Sequence, residues 1–126
     1  MSKYLLDSDI LVDHLTSSDN MNSYLIHLMQ KGICFTTVLN AAELLNSCKD
    51  DNEEKQVRSV LNSLKVLGLH SRYALSVREY SDKTNNLRDA LFSVVSSINK
   101  LPIVTFDEER YKKTNLKIIH PQDLSE

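Results

Sequence analysis

The sequence predicts a single α/β domain, and three features carry that expectation. The chain has 126 residues, the usual size of one domain able to bury its own core. Short runs rich in β-branched and aromatic residues alternate with segments whose apolar residues recur at helical spacing. Four acids, Asp7, Glu43, Asp89 and Asp107, each stand where a strand-like run gives way to a helix-like one.

The elements follow in order. Lys3 to Asp7 is an apolar run that suits a first strand or part of a helix, and Asp7 closes it. Asp9 to Leu15 reads as a short helix. Asn20 to Gln30 reads as a second, with Met21, Tyr24, Leu25, Leu28 and Met29 on one side and Gly32 as its stop. Ile33 to Thr37 is the next strand, Ala41 to Ser47 a helix opened by Glu43, and Lys49 to Lys55 an exposed acidic turn. A helix from Glu54 to Leu64 precedes a weak strand, Val66 to His70. Ser71 to Ser81 is expected to be helical, with Ala74, Leu75 and Val77 on its apolar side. Leu87, Ala90, Leu91, Val94, Val95 and Ile98 form the cleanest amphipathic stripe in the chain. Asp89, roughly opposite that stripe, is expected to face away from the core, towards a crevice. Ile103 to Phe106, bounded by Pro102, is a buried strand ended by Asp107; a short helix to about Lys113 and a strand from Leu116 to Ile119 complete the chain.

Taken singly, each acid fits a helix cap. Asn40 to Glu43 has capping-box spacing, Asn86 to Asp89 is a weaker version of it, and Asp7 and Asp107 can themselves cap. As a set they imply more. If the strands run parallel in an open sheet, their carboxyl ends share one edge, where such folds bind ligands. Like charges about 5 Å apart cost on the order of 3 kcal/mol per pair at an effective dielectric of roughly 20. A helix dipole offers only about 0.3–1 kcal/mol. The cluster must therefore take up protons or bind a cation, and hard carboxylate oxygens favour Mg²⁺ or Mn²⁺.

Composition excludes several other classes. No apolar run approaches the roughly 18 residues of a membrane span, and the opening residues do not read as a signal peptide, so a cytoplasmic location is expected. Cys34 and Cys48 lack the spacing of a redox or zinc motif, and His14, His27, His70 and His120 are scattered, which argues against zinc. A net charge of −2 argues against coating nucleic acid through a broad basic face. Local cations remain candidates for phosphate contact, chiefly Arg88, Arg110, Lys112 and Lys113.

Three segments together resemble the PIN domain family, especially its VapC-type toxins. LLDSDILVD, Leu5 to Asp13, is similar to the family's first strand and acid. TTVLNAAELL, Thr36 to Leu45, resembles its second motif, with Glu43 as the acid. LRDALFSVVSSINKLPIVTFDEERY, Leu87 to Tyr111, resembles a helix opening on Asp89 followed by a strand ending in Asp107. The resemblance implies a three-layer α/β/α sandwich around a parallel sheet of four to five strands, spanning residues 1–126 as one domain. It implies a metal-dependent endoribonuclease, with Asp7, Glu43, Asp89 and Asp107 around Mg²⁺ or Mn²⁺, Ser8 in support and RNA as substrate. A cognate antitoxin and a homodimer are the implied partners; the apolar stretch between Met21 and Leu45 can carry either contact or be plain core. The chain departs from the pattern at Asp9, where many relatives have Asn or Ser, at Ser96 and Ser97, which replace an alanine pair, and at Tyr111, near a position often held by Phe.

Two other readings are carried forward. A phosphoacceptor receiver domain is also of this length and acidic at its strand ends, but needs an acceptor Asp after the third strand, where this chain has His70. A PIN-like module without catalysis, serving only to bind a partner, is the second.

Overall fold

The computed structural model describes residues 2–124; the predicted domain span also takes in Met1, Ser125 and Glu126, which lie outside the described residues. Parallel strands β1 (Ser2–Leu6), β2 (Gly32–Thr37), β3 (Lys65–Leu67), β4 (Ile103–Val104) and β5 (Ile118–Ile119) form one sheet in the order β3-β2-β1-β4-β5. The chain steps outward from β1 to β3, then crosses back to place β4 and β5 on the other side of β1. The order thus reverses beside β1, and the carboxyl end of β1 lies at the point where open α/β sheets form their ligand crevice.

The pleat sends alternate residues to opposite faces, and each face has its own core. Tyr4, Leu6, Cys34 and Val104 pack with Ile10, Leu11, Leu25, Leu28, Leu44, Val57 and Val60, from α1 (Ser8–Thr16), α2 (Tyr24–Lys31), α3 (Val38–Asn46) and α4 (Asp51–Asn62). Leu5 and Ile103 point the other way, onto Tyr73 of α5 (Ser71–Leu75), Tyr80 of α6 (Arg78–Ser81) and the residues Ala90, Phe92, Val94 and Val95 of α7 (Leu87–Asn99). This is the three-layer sandwich expected from the resemblance. Most of the apolar stretch from Met21 to Leu45 serves the first core, although Met21 and Val38 stay exposed.

Gly32 ends α2 as predicted, but in extended backbone (φ −174°) at the start of β2 rather than in a left-handed turn. Its requirement is close approach: a Cβ there would stand 2.3 Å from the Ser2 carbonyl oxygen of the neighbouring strand.

Several local expectations are corrected. The second predicted helix begins only at Tyr24, where Ser23 accepts from the Ile26 N–H, after a 3-10 turn at Asn20–Asn22. Helix α3 is capped by Thr37 with Asn40 as its reciprocal partner, so Glu43 lies inside the helix rather than at its opening. The acidic stretch read as a turn is the first turn of α4: Asp50 accepts from the Glu53 N–H, and Asp51, Glu53 and Glu54 lie at the positive end of the helix dipole. The predicted helix 71–81 is two pieces. The segment buries Tyr73 and Tyr80; of the predicted triad Val77 packs partly buried against the core, while Ala74 and Leu75 are exposed, Leu75 at 84%. The weak third strand shrinks to an edge strand, Lys65–Leu67. The segment after Asp107 is a 3-10 turn, Glu108–Thr114.

Candidate active site

The carboxyl end of β1 carries the centre of a buried polar network. Asp7 caps α1, its Oδ1 accepting from the Ser8 N–H at 2.8 Å, and is fully buried. Asp7 thus caps the helix while its carboxylate also faces the crevice. Asn40 and Glu43, three residues apart on α3, share the face that looks at β1. Asn40 donates through Nδ2 to the Ser8 hydroxyl (2.9 Å) and to Asp7 Oδ1 (3.3 Å), while the Ser8 hydroxyl donates to Glu43 Oε1 (2.9 Å). Ser8 is thus the hinge between the first two acids.

Asp89 enters from α7. Asn86 caps that helix by accepting from the Asp89 N–H (2.8 Å), as the spacing predicted. Asp89 does point to the crevice, yet it is only 1% exposed. Its side of the helix also buries Phe92, Ser93 and Ser96, so the predicted stripe captures only part of the buried surface.

What joins the three acids is a guanidinium. Arg88 Nη2 donates to Asp7 Oδ1 (2.6 Å) and Glu43 Oε1 (2.9 Å), and its Nη1 donates to Asp89 Oδ1 (3.2 Å) and the Tyr111 hydroxyl (2.9 Å). Arg110 pairs with Asp89 through Nη2 and lies 3.6 Å from Asp7 Oδ2. Tyr111, fully buried, donates to Asp7 Oδ2 at 2.5 Å. Arg88 and Arg110, expected as surface cations able to meet phosphate, are therefore turned inward, whereas Lys112 and Lys113 are exposed.

The electrostatics follow from this packing. Burial alone would push the Asp7 carboxyl up, but the charge and hydrogen bonds of Arg88, the Tyr111 hydroxyl and the Arg110 charge together hold it below the usual carboxylate range. Burial opposes the charge on Arg88 as well, yet Asp7 and Glu43 more than offset it and fix the guanidinium as a cation. Burial and the Asp7 charge push the Tyr111 hydroxyl up, so it remains a donor. The like-charge cost anticipated from sequence is met by two arginines of the same chain, leaving three carboxylates against two guanidinium groups.

The fourth acid differs. Asp107 is exposed, and its carboxylate caps nothing and takes no hydrogen bond or ion pair among the described residues. Asp9 occupies the space between β1 and the end of β4 instead. Its Oδ2 accepts from the Thr105 hydroxyl (2.8 Å) and the Phe106 N–H (3.0 Å), while its Oδ1 is buried with no partner. Burial, then the nearby Asp7 charge, raise its pKa.

Sequence reasoning missed Asn40 and Tyr111 as members of the network and gave Asp9 no role in it. Asn40 had a signal, its three-residue spacing to Glu43, which was read as a cap. Asp9 had one in its departure from the family pattern.

The donor set suits a hard divalent ion: Asp7, Glu43 and Asp89 supply carboxylate oxygens around one guanidinium, and Asp9, on the helix that Asp7 caps, has a buried oxygen without a partner. Among the described residues no group of three or more acids, histidines or cysteines is arranged to hold a metal ion as the side chains stand, and Arg88 lies between Asp7, Glu43 and Asp89. The residues fit the ion by chemistry, with a guanidinium to be displaced.

A parallel α/β/α sandwich with acids brought together at the carboxyl edge of its sheet is a ligand- or ion-binding arrangement that several families share. The PIN domain family model matches residues 4–116, and the chain belongs to that family, whose members are generally nucleases. No curated protein matches the chain. Among solved structures, a toxin–antitoxin complex from Klebsiella pneumoniae superposes with a TM-score of 0.77 at 14% identity, over 94% of this chain and 97% of that one. The VapBC2 complex of Rickettsia felis, bound to a fragment of its promoter DNA, gives 0.75 at 18%, over 93% and 97%. A protein from Pyrobaculum aerophilum gives 0.70 at 21%, over 98% and 87%.

Proposed function

We propose that the chain is a Mg²⁺- or Mn²⁺-dependent endoribonuclease, the toxin of a toxin–antitoxin pair, acting in the cytoplasm. One observation supports this above the others: Asp7, Glu43 and Asp89, brought from the end of β1, from α3 and from α7, meet on one guanidinium nitrogen or its neighbour at the crevice of the sheet. These three would hold the ion, with Asp107 completing the set from the rim. When bound, the ion supplies positive charge to the scissile phosphate and makes water a better nucleophile at neutral pH. Tyr111 and the Ser8 N–H orient Asp7, Ser8 and Asn40 set the position of Glu43, and Asn86 fixes the turn that presents Asp89. Lys112 and Lys113, exposed on the turn after β4, would meet RNA phosphates; Arg88 and Arg110 can do so only after leaving the acids.

An antitoxin as partner is supported by neighbours whose structures are toxin–antitoxin complexes. A homodimer is proposed from the family resemblance alone. The receiver reading fits the topology poorly: receivers of the 2-1-3-4-5 order place the third strand inside the sheet, whereas β3 here is an edge strand. The inward arginines favour one rival, a binding module that has given up catalysis, and a single experiment decides between them. Asp7→Asn and Asp89→Asn are expected to abolish Mn²⁺-stimulated cleavage of single-stranded RNA while keeping the far-UV spectrum of the parent. Cleavage by both at the parent rate rejects the assignment, and no cleavage by the parent itself favours the binding module.

A further inference from the structure

Arg88 makes more contacts with the acids than any other side chain in the site. Its Nη2 serves Asp7, Glu43 and the Ser8 hydroxyl (3.1 Å), its Nε serves Glu43 (3.1 Å), and its Nη1 serves Asp89. The oxygens it uses on Asp7, Glu43 and Asp89 come from the same three acids assigned to the divalent ion. A guanidinium and a divalent ion cannot occupy one point between them.

The two kinds of partner also differ in freedom. Asp7 and Asp89 are 0% and 1% exposed, Asp7 held by the Ser8 N–H and Tyr111 and Asp89 by Arg110, whereas the side chains of Arg88 and Glu43 are 17% and 47% exposed. The two buried acids are fixed, and the cation stands on a long flexible stem. Arg110 shares Asp89 with Arg88 but touches Asp7 through its other oxygen and does not reach Glu43, so Asp7 Oδ1 and Glu43 Oε1 are paired with Arg88 alone of the two arginines.

We propose that Arg88 is an exchangeable resident cation: it neutralises Asp7, Glu43 and Asp89 in the metal-free protein, competes with the divalent ion for their oxygens, and swings out of the site when the ion binds. This rests on the metal-dependent reading above and adds a positioning role for Arg88 within it. The metal-free protein is then stable with its acids packed together, and metal affinity is lowered by the guanidinium that must be expelled. A fork of N–H donors suited to phosphate is set free only in the loaded state.

Two measurements test it, neither of them activity. Calorimetric titration with Mn²⁺ at pH 7 is expected to show Arg88→Gln binding on the order of tenfold or more tighter than the parent, since a cation within a few ångströms of the ion's position has been removed. The metal-free variant should melt lower than the parent, and Mn²⁺ should raise its melting temperature by more than it raises the parent's. Because Arg88→Gln leaves buried acids unpaired and can fail to fold, the second measurement uses the unaltered protein. Solvent exchange of the Arg88 Nε–H, followed by nitrogen-edited NMR, should be slow without metal and should accelerate on saturation with Mg²⁺. Equal or weaker Mn²⁺ binding by Arg88→Gln, or Arg88 Nε–H protection unchanged by bound Mg²⁺, overturns the exchange and leaves the metal reading standing. Absence of binding to parent and variant alike overturns both.

Discussion

Tyr111→Phe isolates one hydrogen bond at the centre of the network. The ring is fully buried and packs against Phe92 at a centroid distance of 5.6 Å, so Phe keeps the packing and removes only the hydroxyl. That hydroxyl donates to a buried charged oxygen of Asp7 and accepts from Arg88. Hydrogen bonds to charged groups contribute about 1.5–3 kcal/mol, and for a chain of this size each kcal/mol moves the melting temperature by roughly 3–5 °C. The expected loss is thus about 5–15 °C at pH 7 in the presence of EDTA. The pH dependence has a definite sign. Asp7 titrates below the ordinary carboxylate range, partly through this bond, so its contribution is present above the unfolded value and is lost as pH falls through the folded one. The gap between parent and variant should be widest near neutrality and should close as Asp7 takes up its proton at low pH. Thermal unfolding of both proteins from pH 7 down to well below the ordinary carboxylate range measures it. A melting temperature within about 1 °C of the parent, well below the spread expected for a lost charged hydrogen bond, or a gap that does not change with pH, refutes the role given to Tyr111.

Gly32→Ala should destabilise the fold by about 1–3 kcal/mol or more in urea titration, because the new methyl meets backbone atoms of Ser2 that cannot rotate away; an unchanged midpoint would show that β1 can yield. Asp9→Asn should stabilise the metal-free protein at pH 7, where the parent holds a carboxyl whose pKa burial and Asp7 have raised. The parent's disadvantage grows as pH rises through that folded value, so the gain should vanish below about pH 4, and a gain that persists in acid contradicts the assignment. Asp107→Ala should leave stability within about 0.5 kcal/mol of the parent, the usual range for a surface change, since its carboxylate supports no contact. Any loss of RNA cleavage in that variant then reports on function alone, and undiminished cleavage removes Asp107 from the proposed set.

The α/β class, most of the strands and the position of Asp7 at the carboxyl edge of the sheet are legible in the sequence, because these depend on local signals. Apolar period separates strand from helix, and a carboxylate at the end of a parallel strand has one edge to face. The Asn86 cap was legible for the same reason. Even locally, two patterns competed: Asn40 could cap a helix or answer Thr37 as its third residue, and tertiary packing against Ser8 and Asp7 favoured the second. The acids after Asp50 read as a solvated turn, although their charge suits a helix start equally well. What neutralises the acids is fixed by long-range packing instead. Arg88 meets Asp7 across 81 residues, and Tyr111 meets it across 104. No periodicity records such pairs, since an arginine next to an acid in sequence is as compatible with solvent as with a buried partner, and the choice is made by the desolvation that folding imposes. The exposure of Asp107 and the burial of Asp9 were settled the same way, by where the end of β4 comes to rest against α1.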